Sequence, residues 1–283
     1  MKGTFTGASN YIAAEDLLGA VNIAMALEKP LLVKGEPGTG KTMLAEAIAE
    51  ALGKELIIWN IKSTTKAQDG LYVYDVVQRL YDSQFGNAGV DDIAKYIKLG
   101  KLGEAFLADE QVVLLIDEID KADEEFEAFL LELLSEMQVT IPEVGTIRAN
   151  SVPFVVLTSN RARPLSEALR RRCAYLYIEY PDMEKELAIL RAKLPHVDDR
   201  LCAQVALAVQ KLRSNEVILK KPSIAETLDW AAALDALGIR ELTPDALRKT
   251  AGFVLKNNED MAALDAEEMG GCHCGGCEGH HHG

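Results

Sequence analysis

The stretch GEPGTGKT, Gly35 to Thr42, constrains this chain more than any other. It matches the spacing G-x-x-x-x-G-K-[ST] in full. It follows an apolar run, LLVK, and opens a helical pattern, TMLAEAIAEAL. A buried strand, a glycine-rich turn and a helix start, in that order, make a cradle for phosphate. Gly35, Gly38 and Gly40, with Glu36, Pro37 and Thr39 between them, let the backbone curl until successive N–H groups converge on one anion. The positive end of the helix dipole adds to that attraction. Lys41 is then placed for the β- and γ-phosphates of ATP, and Thr42 offers a hydroxyl to Mg²⁺. The plainer reading, a chance glycine-rich turn, does not account for the complete motif with its flanking strand and helix.

The surrounding pattern fits that turn. Short β-branched runs at 31–33, 56–61, 112–116, 153–158 and 175–178 alternate with helical periodicity. In DEEFEAFLLELLSEM, residues Phe126, Leu130, Leu133, Leu134 and Met137 share one helical face, and Asp123 stands where an N-cap belongs. Strands that read as continuous apolar runs between helices indicate an α/β fold, a five-stranded parallel sheet sandwiched by helices. After Tyr180-Pro181 only helical patterns remain, about four short ones, two of them opened by Pro222-Ser223 and Thr243-Pro244. The length of 283 residues suits this division. A nucleotide-binding domain is expected over 1–183, a small all-α lid over 184–262, and an acidic, then Cys/His-rich, tail over 263–283.

The strand VVLLIDE ends in paired acids. Asp117 is placed to complete the Mg²⁺ shell with Thr42, and Glu118 to orient and deprotonate the attacking water. Alone, such a pair reads equally well as a solvated strand end. Beside a complete phosphate loop it points to an ATPase.

GEPGTGKT, LLIDEIDKAD, LTSN and LSEALRRRC occur in that order. The chain resembles the AAA+ ATPases, within them the MoxR group, and there the CoxD-type branch. The likeness covers residues 5 to 250, and IKSTTKAQDGLYVYD and TSNRARPLSEALRRRC carry the branch assignment. The resemblance implies a hexameric ring with ATP sites between subunits. It places Asn160 at the sensor-1 position, beside Glu118. It places Arg172 at the arginine-finger position, with Arg171 and Arg170 as neighbours that equally suit the capping of a helix C-terminus. It places Asn10, Tyr11 and Ile12 where the adenine packs, although plain core suits them too. The lid stretch KKPSIAETLDW has no sensor-2 arginine; Lys220 or Lys221 would substitute without the planar fork. Two segments, STTKAQDGLYVYDVVQRLYDSQ and MQVTIPEVGTIRANSVP, look like family insertions that form hairpins facing the ring's pore or a partner. Tyr72 and Tyr74 suit either a half-buried strand or a grip on substrate.

The resemblance further implies a von Willebrand factor A partner and a protein client. For the CoxD branch that client is a metalloenzyme receiving its metal centre. Two other readings stand beside this chaperone: a nucleic-acid motor built on the same motifs, and a metallochaperone that uses ATP as a switch. A net charge of −14 argues against general nucleic-acid binding. No apolar run approaches the roughly 20 residues of a membrane-spanning helix, and MKGTFTGASN lacks the features of an export signal. Cys173 and Cys202 are too few for a disulfide framework, so a cytoplasmic location is expected. The end, CHCGGCEGHHHG, gathers Cys272, His273, Cys274, Cys277, His280, His281 and His282. Thiolate and imidazole suit a soft or borderline transition metal, but the glycines and the C-x-C-x-x-C spacing do not suit a rigid zinc site. Either a metal-delivering arm or an incidental metal-binding terminus fits.

Overall fold

A computed structural model of the chain describes residues 4–8, 11–12, 15–85, 92–141, 145–160 and 163–263. Contacts gather into two units that divide between Glu179 and Tyr180.

The first unit is built on five parallel strands: β1 (Leu31–Gly35), β2 (Leu56–Asn60), β5 (Val113–Asp117), β8 (Phe154–Ser159) and β9 (Ala174–Ile178). Their spatial order is β2-β5-β8-β1-β9. All five expected strands are present, each with an end moved by a residue or two. Alternate side chains feed two cores, as a parallel sheet covered on both faces requires. Leu31, Val33, Val113 and Leu115 pack with Leu44 and Ile48 of α2 (Lys41–Leu52) on one face. Leu32, Leu114 and Ile116 pack on the other face with Phe126 and Leu130 of α5 (Glu124–Glu136). Full burial of each such side chain is worth about 1.5–3 kcal/mol.

Helix boundaries follow local chemistry. Asp123 caps α5 by accepting from the Phe126 N–H. Met137 was expected to continue the apolar face of α5, but it ends the helix with φ of 47° and packs only partly against the core. Gly53, at φ 60°, ends α2 in the left-handed region that glycine adopts without strain.

Both inserted segments form antiparallel pairs. In the first, β3 (Tyr72–Tyr74) pairs with β4 (Ile97–Leu99), and α3 (Val76–Gln84) lies between them in sequence. In the second, β6 (Gln138–Ile141) pairs with β7 (Gly145–Arg148). Helices α1 (Glu15–Ala26), α4 (Lys101–Leu107) and α6 (Glu167–Arg172) complete the unit.

The second unit is helical: α7 (Met183–Lys193), α8 (Asp199–Ser214), α9 (Ile224–Ala236) and α10 (Pro244–Thr250). Leu201, Val205, Val209, Trp230 and Leu234 form its core. Ser223 and Glu226 make a reciprocal capping box at α9, and Thr243 caps α10 ahead of Pro244. Among the described residues, no helix is long and apolar enough to cross a membrane.

Candidate active site

The phosphate loop turns out of β1 with Gly38 at φ 72° and Gly40 at φ 88°, a conformation that disfavours any residue with a Cβ. Gly35 is required for a different reason. A Cβ there would lie 2.6 Å from the Ile178 carbonyl of β9 and 2.9 Å from Thr39 Oγ1. Thr39 donates to the Glu36 carbonyl at 2.9 Å and closes the turn. No side chain caps the first turn of α2, so its leading N–H groups remain available to an anion.

Lys41 is only 6% exposed. Its ammonium donates to the carbonyls of Gly35 at 3.0 Å and Glu36 at 2.6 Å, folded back on the loop that it serves. Burial pushes its pKa below the ordinary lysine value, while Asp117 and Glu36 pull the other way. A buried cation held mainly by neutral carbonyls gains strongly from an arriving polyanion.

At the end of β5, Asp117 meets Thr42 in the first turn of α2, with the threonine hydroxyl 3.2 and 3.3 Å from the two carboxylate oxygens. The two hard oxygen groups converge at the loop's edge, the donor type that Mg²⁺ selects, so this pair fits that ion. The next residue leaves the strand abruptly: Glu118 has φ 59° and ψ 46°. A non-glycine residue held there costs about 1–3 kcal/mol, a strain that collects at functional positions. Its side chain is fixed from two sides. Asn160, just past β8, donates from Nδ2 to Glu118 Oε1 at 2.8 Å, and Lys121 donates to Oε2. The Asn160 N–H bonds the buried Asp120 carboxylate at 3.2 Å, which orients the asparagine in turn.

Sequence reasoning missed Thr158. Fully buried on β8, its hydroxyl accepts from the Glu118 N–H at 2.9 Å and donates to Asp117 Oδ1. One hydroxyl thus aligns both acids. The available signal was a polar residue inside the apolar run FVVLTS.

Also missed was the support beneath α6. Glu127, 2% exposed on α5, accepts from the Ser166 N–H at 2.8 Å and from Arg163, which also donates to the Ala122 carbonyl at 2.7 Å. An acid on the apolar face of α5 was the clue, because a charge buried there requires a partner. This network seats the start of α6, whose last turn carries Arg170, Arg171 and Arg172, all exposed. Arg171 pairs with Glu167 of its own helix, while Arg172 Nε reaches Ser135 Oγ at 2.9 Å.

Tyr11 lies beside the loop, its ring carbon 3.6 Å from where a Gly40 Cβ would sit, and burial raises its phenol to about 12. Ile12 is exposed, and Asn10 falls outside the described residues. Tyr72 is buried and Tyr74 half-buried, so the core reading of that strand fits both. In the helical unit, Lys221 donates to the Asn215 carbonyl and Lys220 lies 3.6 Å from Glu226. Cys272, His273, Cys274, Cys277 and His280–His282 lie outside the described residues. Among those described, no group of three or more His, Cys, Asp or Glu side chains is arranged for a metal.

The protein-family model for the AAA domain (dynein-related subfamily) matches residues 30–173, just over half of the chain. The chain is 29% identical to YojN of Bacillus subtilis over 243 residues, covering 83% of this chain and 72% of that protein. It is 38% identical to midasin of Giardia intestinalis over 80 residues, which span 26% of this chain but 2% of midasin. Among solved structures, Thermotoga maritima RuvB, a Holliday junction branch migration motor, aligns with a TM-score of 0.53 at 18% identity. That alignment covers 84% of this chain and 68% of RuvB, and at such identity the likeness is one of fold. The family match spans the loop, both acids, Asn160 and the arginines of α6, and the chain therefore belongs to the AAA domain family, dynein-related subfamily, and is a nucleotide-hydrolysing ATPase.

Proposed function

We propose that this chain is a MoxR-type AAA+ ATPase that hydrolyses ATP to remodel a protein client, and that the client is a metalloenzyme being opened to receive its metal cofactor. One observation carries the hydrolytic part: the Asn160 amide holds Glu118 at 2.8 Å beside the facing pair Thr42 and Asp117.

The phosphate loop and Lys41 bind the triphosphate. Thr42 and Asp117 would hold Mg²⁺, which when bound neutralises charge on the β- and γ-phosphates. Asn160 and Glu118 orient the attacking water, and the Glu118 carboxylate accepts its proton. Tyr11 packs against the nucleotide base. Arg172, on the exposed last turn of α6, acts on the γ-phosphate of a neighbouring subunit, with Arg171 as its companion. The chain assembles as a hexamer, and residues 184–262 serve as its lid.

Two features favour a protein client over nucleic acid. The net charge is −14. On the first insertion, Val76, Val77, Leu80, Tyr81 and Phe85 of α3 and its end are between 54% and 80% exposed, an apolar face unsuited to a phosphate backbone. Metal insertion and the von Willebrand factor A partner rest on the MoxR and CoxD resemblance, with the Cys/His-rich tail as the arm that carries a transition metal.

Replacement of Glu118 by Gln tests the whole. ATP binding should persist while turnover drops by about 10²–10⁴-fold, and the stalled protein should retain its client and partner in pull-downs with ATP. Mixing Arg172→Ala with Lys41→Ala chains should restore part of the lost turnover, because each supplies what the other lacks. Stimulation of turnover by DNA, with no protein retained, would overturn the chaperone reading.

A further inference from the structure

We propose that Lys121 is a positioning residue that restrains Glu118, a brake on hydrolysis set by an ion pair one turn beyond the acid itself. This role presupposes Glu118 as the base proposed above.

Glu118 and Lys121 stand three residues apart at either end of a single 3₁₀ turn, Ile119–Lys121. The turn is fixed at its base by backbone bonds from Lys121 N–H to the Glu118 carbonyl at 2.9 Å and from Ala122 N–H to the Ile119 carbonyl at 3.0 Å. Ile119 is fully buried beneath it and Asp120 is tied to the Asn160 N–H. The left-handed backbone at Glu118 and the turn that follows it bring the carboxylate and the lysine ammonium together. Both carboxylate oxygens are then engaged, Oε1 by the Asn160 amide and Oε2 by the ammonium. The same contact holds the Lys121 ammonium above its ordinary pKa.

The two restraints differ in kind. Asn160 is tied through its own N–H to a buried acid and stays in place. Lys121 is a flexible side chain 46% exposed, and its partner is 34% exposed. An exposed pair of this sort is weak and salt-sensitive. It can therefore be broken by modest competition. Lone pairs remain on both oxygens for a water, but two donors hold the carboxylate in one orientation, and the lysine is the restraint that yields when the carboxylate turns toward that water.

The experiment compares wild type with Lys121→Met and Lys121→Arg at saturating ATP and Mg²⁺. Lys121→Met should raise kcat by roughly two- to fivefold, the factor that matches an exposed ion pair. The dissociation constant for a fluorescent ATP analogue should stay within about twofold, since the lysine contributes to positioning and not to binding. Added salt should raise the wild-type kcat and leave Lys121→Met unmoved, and Lys121→Arg should restore the wild-type rate and salt response. A kcat for Lys121→Met equal to or below wild type overturns the brake, as does an unchanged salt response. Glu118→Gln serves as the control on the underlying reading: if it turns over normally, the base assignment itself has failed. If it is inert while Lys121→Met behaves as wild type, only the brake has failed.

Discussion

Among the described residues, each unit holds a deeply buried cationic side chain, Lys41 and Arg213, and the two are treated in opposite ways. In the helical unit, Arg213 and Glu186 are 7% and 0% exposed and joined by two bonds of 2.7 and 2.8 Å. Gln210 at 2.7 Å and Thr227 at 2.9 Å satisfy the rest of the carboxylate, and the Tyr180 ring lies 4.9 Å from the guanidinium. In the sheet unit, Lys41 is as deeply buried but is held by two backbone carbonyls. One cation is complete within its own chain and serves the fold. The other has backbone carbonyls as its hydrogen-bond partners, a setting that favours a polyanion. Burial alone therefore does not distinguish structure from function; the quality of the partner does.

The contrast can be broken by mutation. Arg213→Met leaves Glu186 buried and unpaired, and should cost about 3–5 kcal/mol of stability in the helical unit. The chain has two tryptophans, Trp59 in the sheet unit and Trp230 in the helical unit, so each Trp→Phe background reports one unit in denaturant titrations. Replacing both partners, Glu186→Leu with Arg213→Met, should recover most of that loss. Lys41→Met should leave stability nearly unchanged, because it removes a desolvated charge, while ATP affinity falls by about 10- to 100-fold. Equal loss of stability in the Arg213 and Lys41 variants would erase the distinction.

Asn160→Ala should reduce kcat by about 10²-fold with little change in ATP affinity, measured by steady-state turnover against equilibrium binding. A change confined to affinity would remove Asn160 from the chemistry. Gly35→Ala should cost about 1–3 kcal/mol in the sheet unit through its clash with the Ile178 carbonyl, read on Trp59. The smallest effect is expected at Ser223, where loss of the α9 cap in Ser223→Ala should cost about 1 kcal/mol on the Trp230 signal and leave ATP turnover intact below the transition.

Much of this was legible in the residues. The phosphate loop, the five strands and the caps at Asp123, Ser223 and Thr243 depend on local spacing and turn chemistry, which a linear pattern records. The acids at 117 and 118 could be named because they end an apolar run. Less legible was anything set by which strands lie side by side. The meeting of Asn160 with Glu118, 42 residues apart, was expected only through the family resemblance; its physical cause is that β8 lies beside β5. Thr158 looked like one more residue of a strand until that pairing placed its hydroxyl between two acids.

The amino-acid order by itself determined that this chain builds a phosphate cradle on a parallel sheet and adds a helical unit, because periodicity, glycine spacing and capping residues act over a few neighbours. Only the tertiary structure decided what completes the cradle: the left-handed turn at Glu118, its restraint by Lys121, the Thr158 hydroxyl between the two acids, and the buried Glu127 network that seats α6. The physical reason is that a side chain's partner depends on which backbone packs against it, and strand order and helix docking are fixed by burial summed over the whole unit rather than by any one segment.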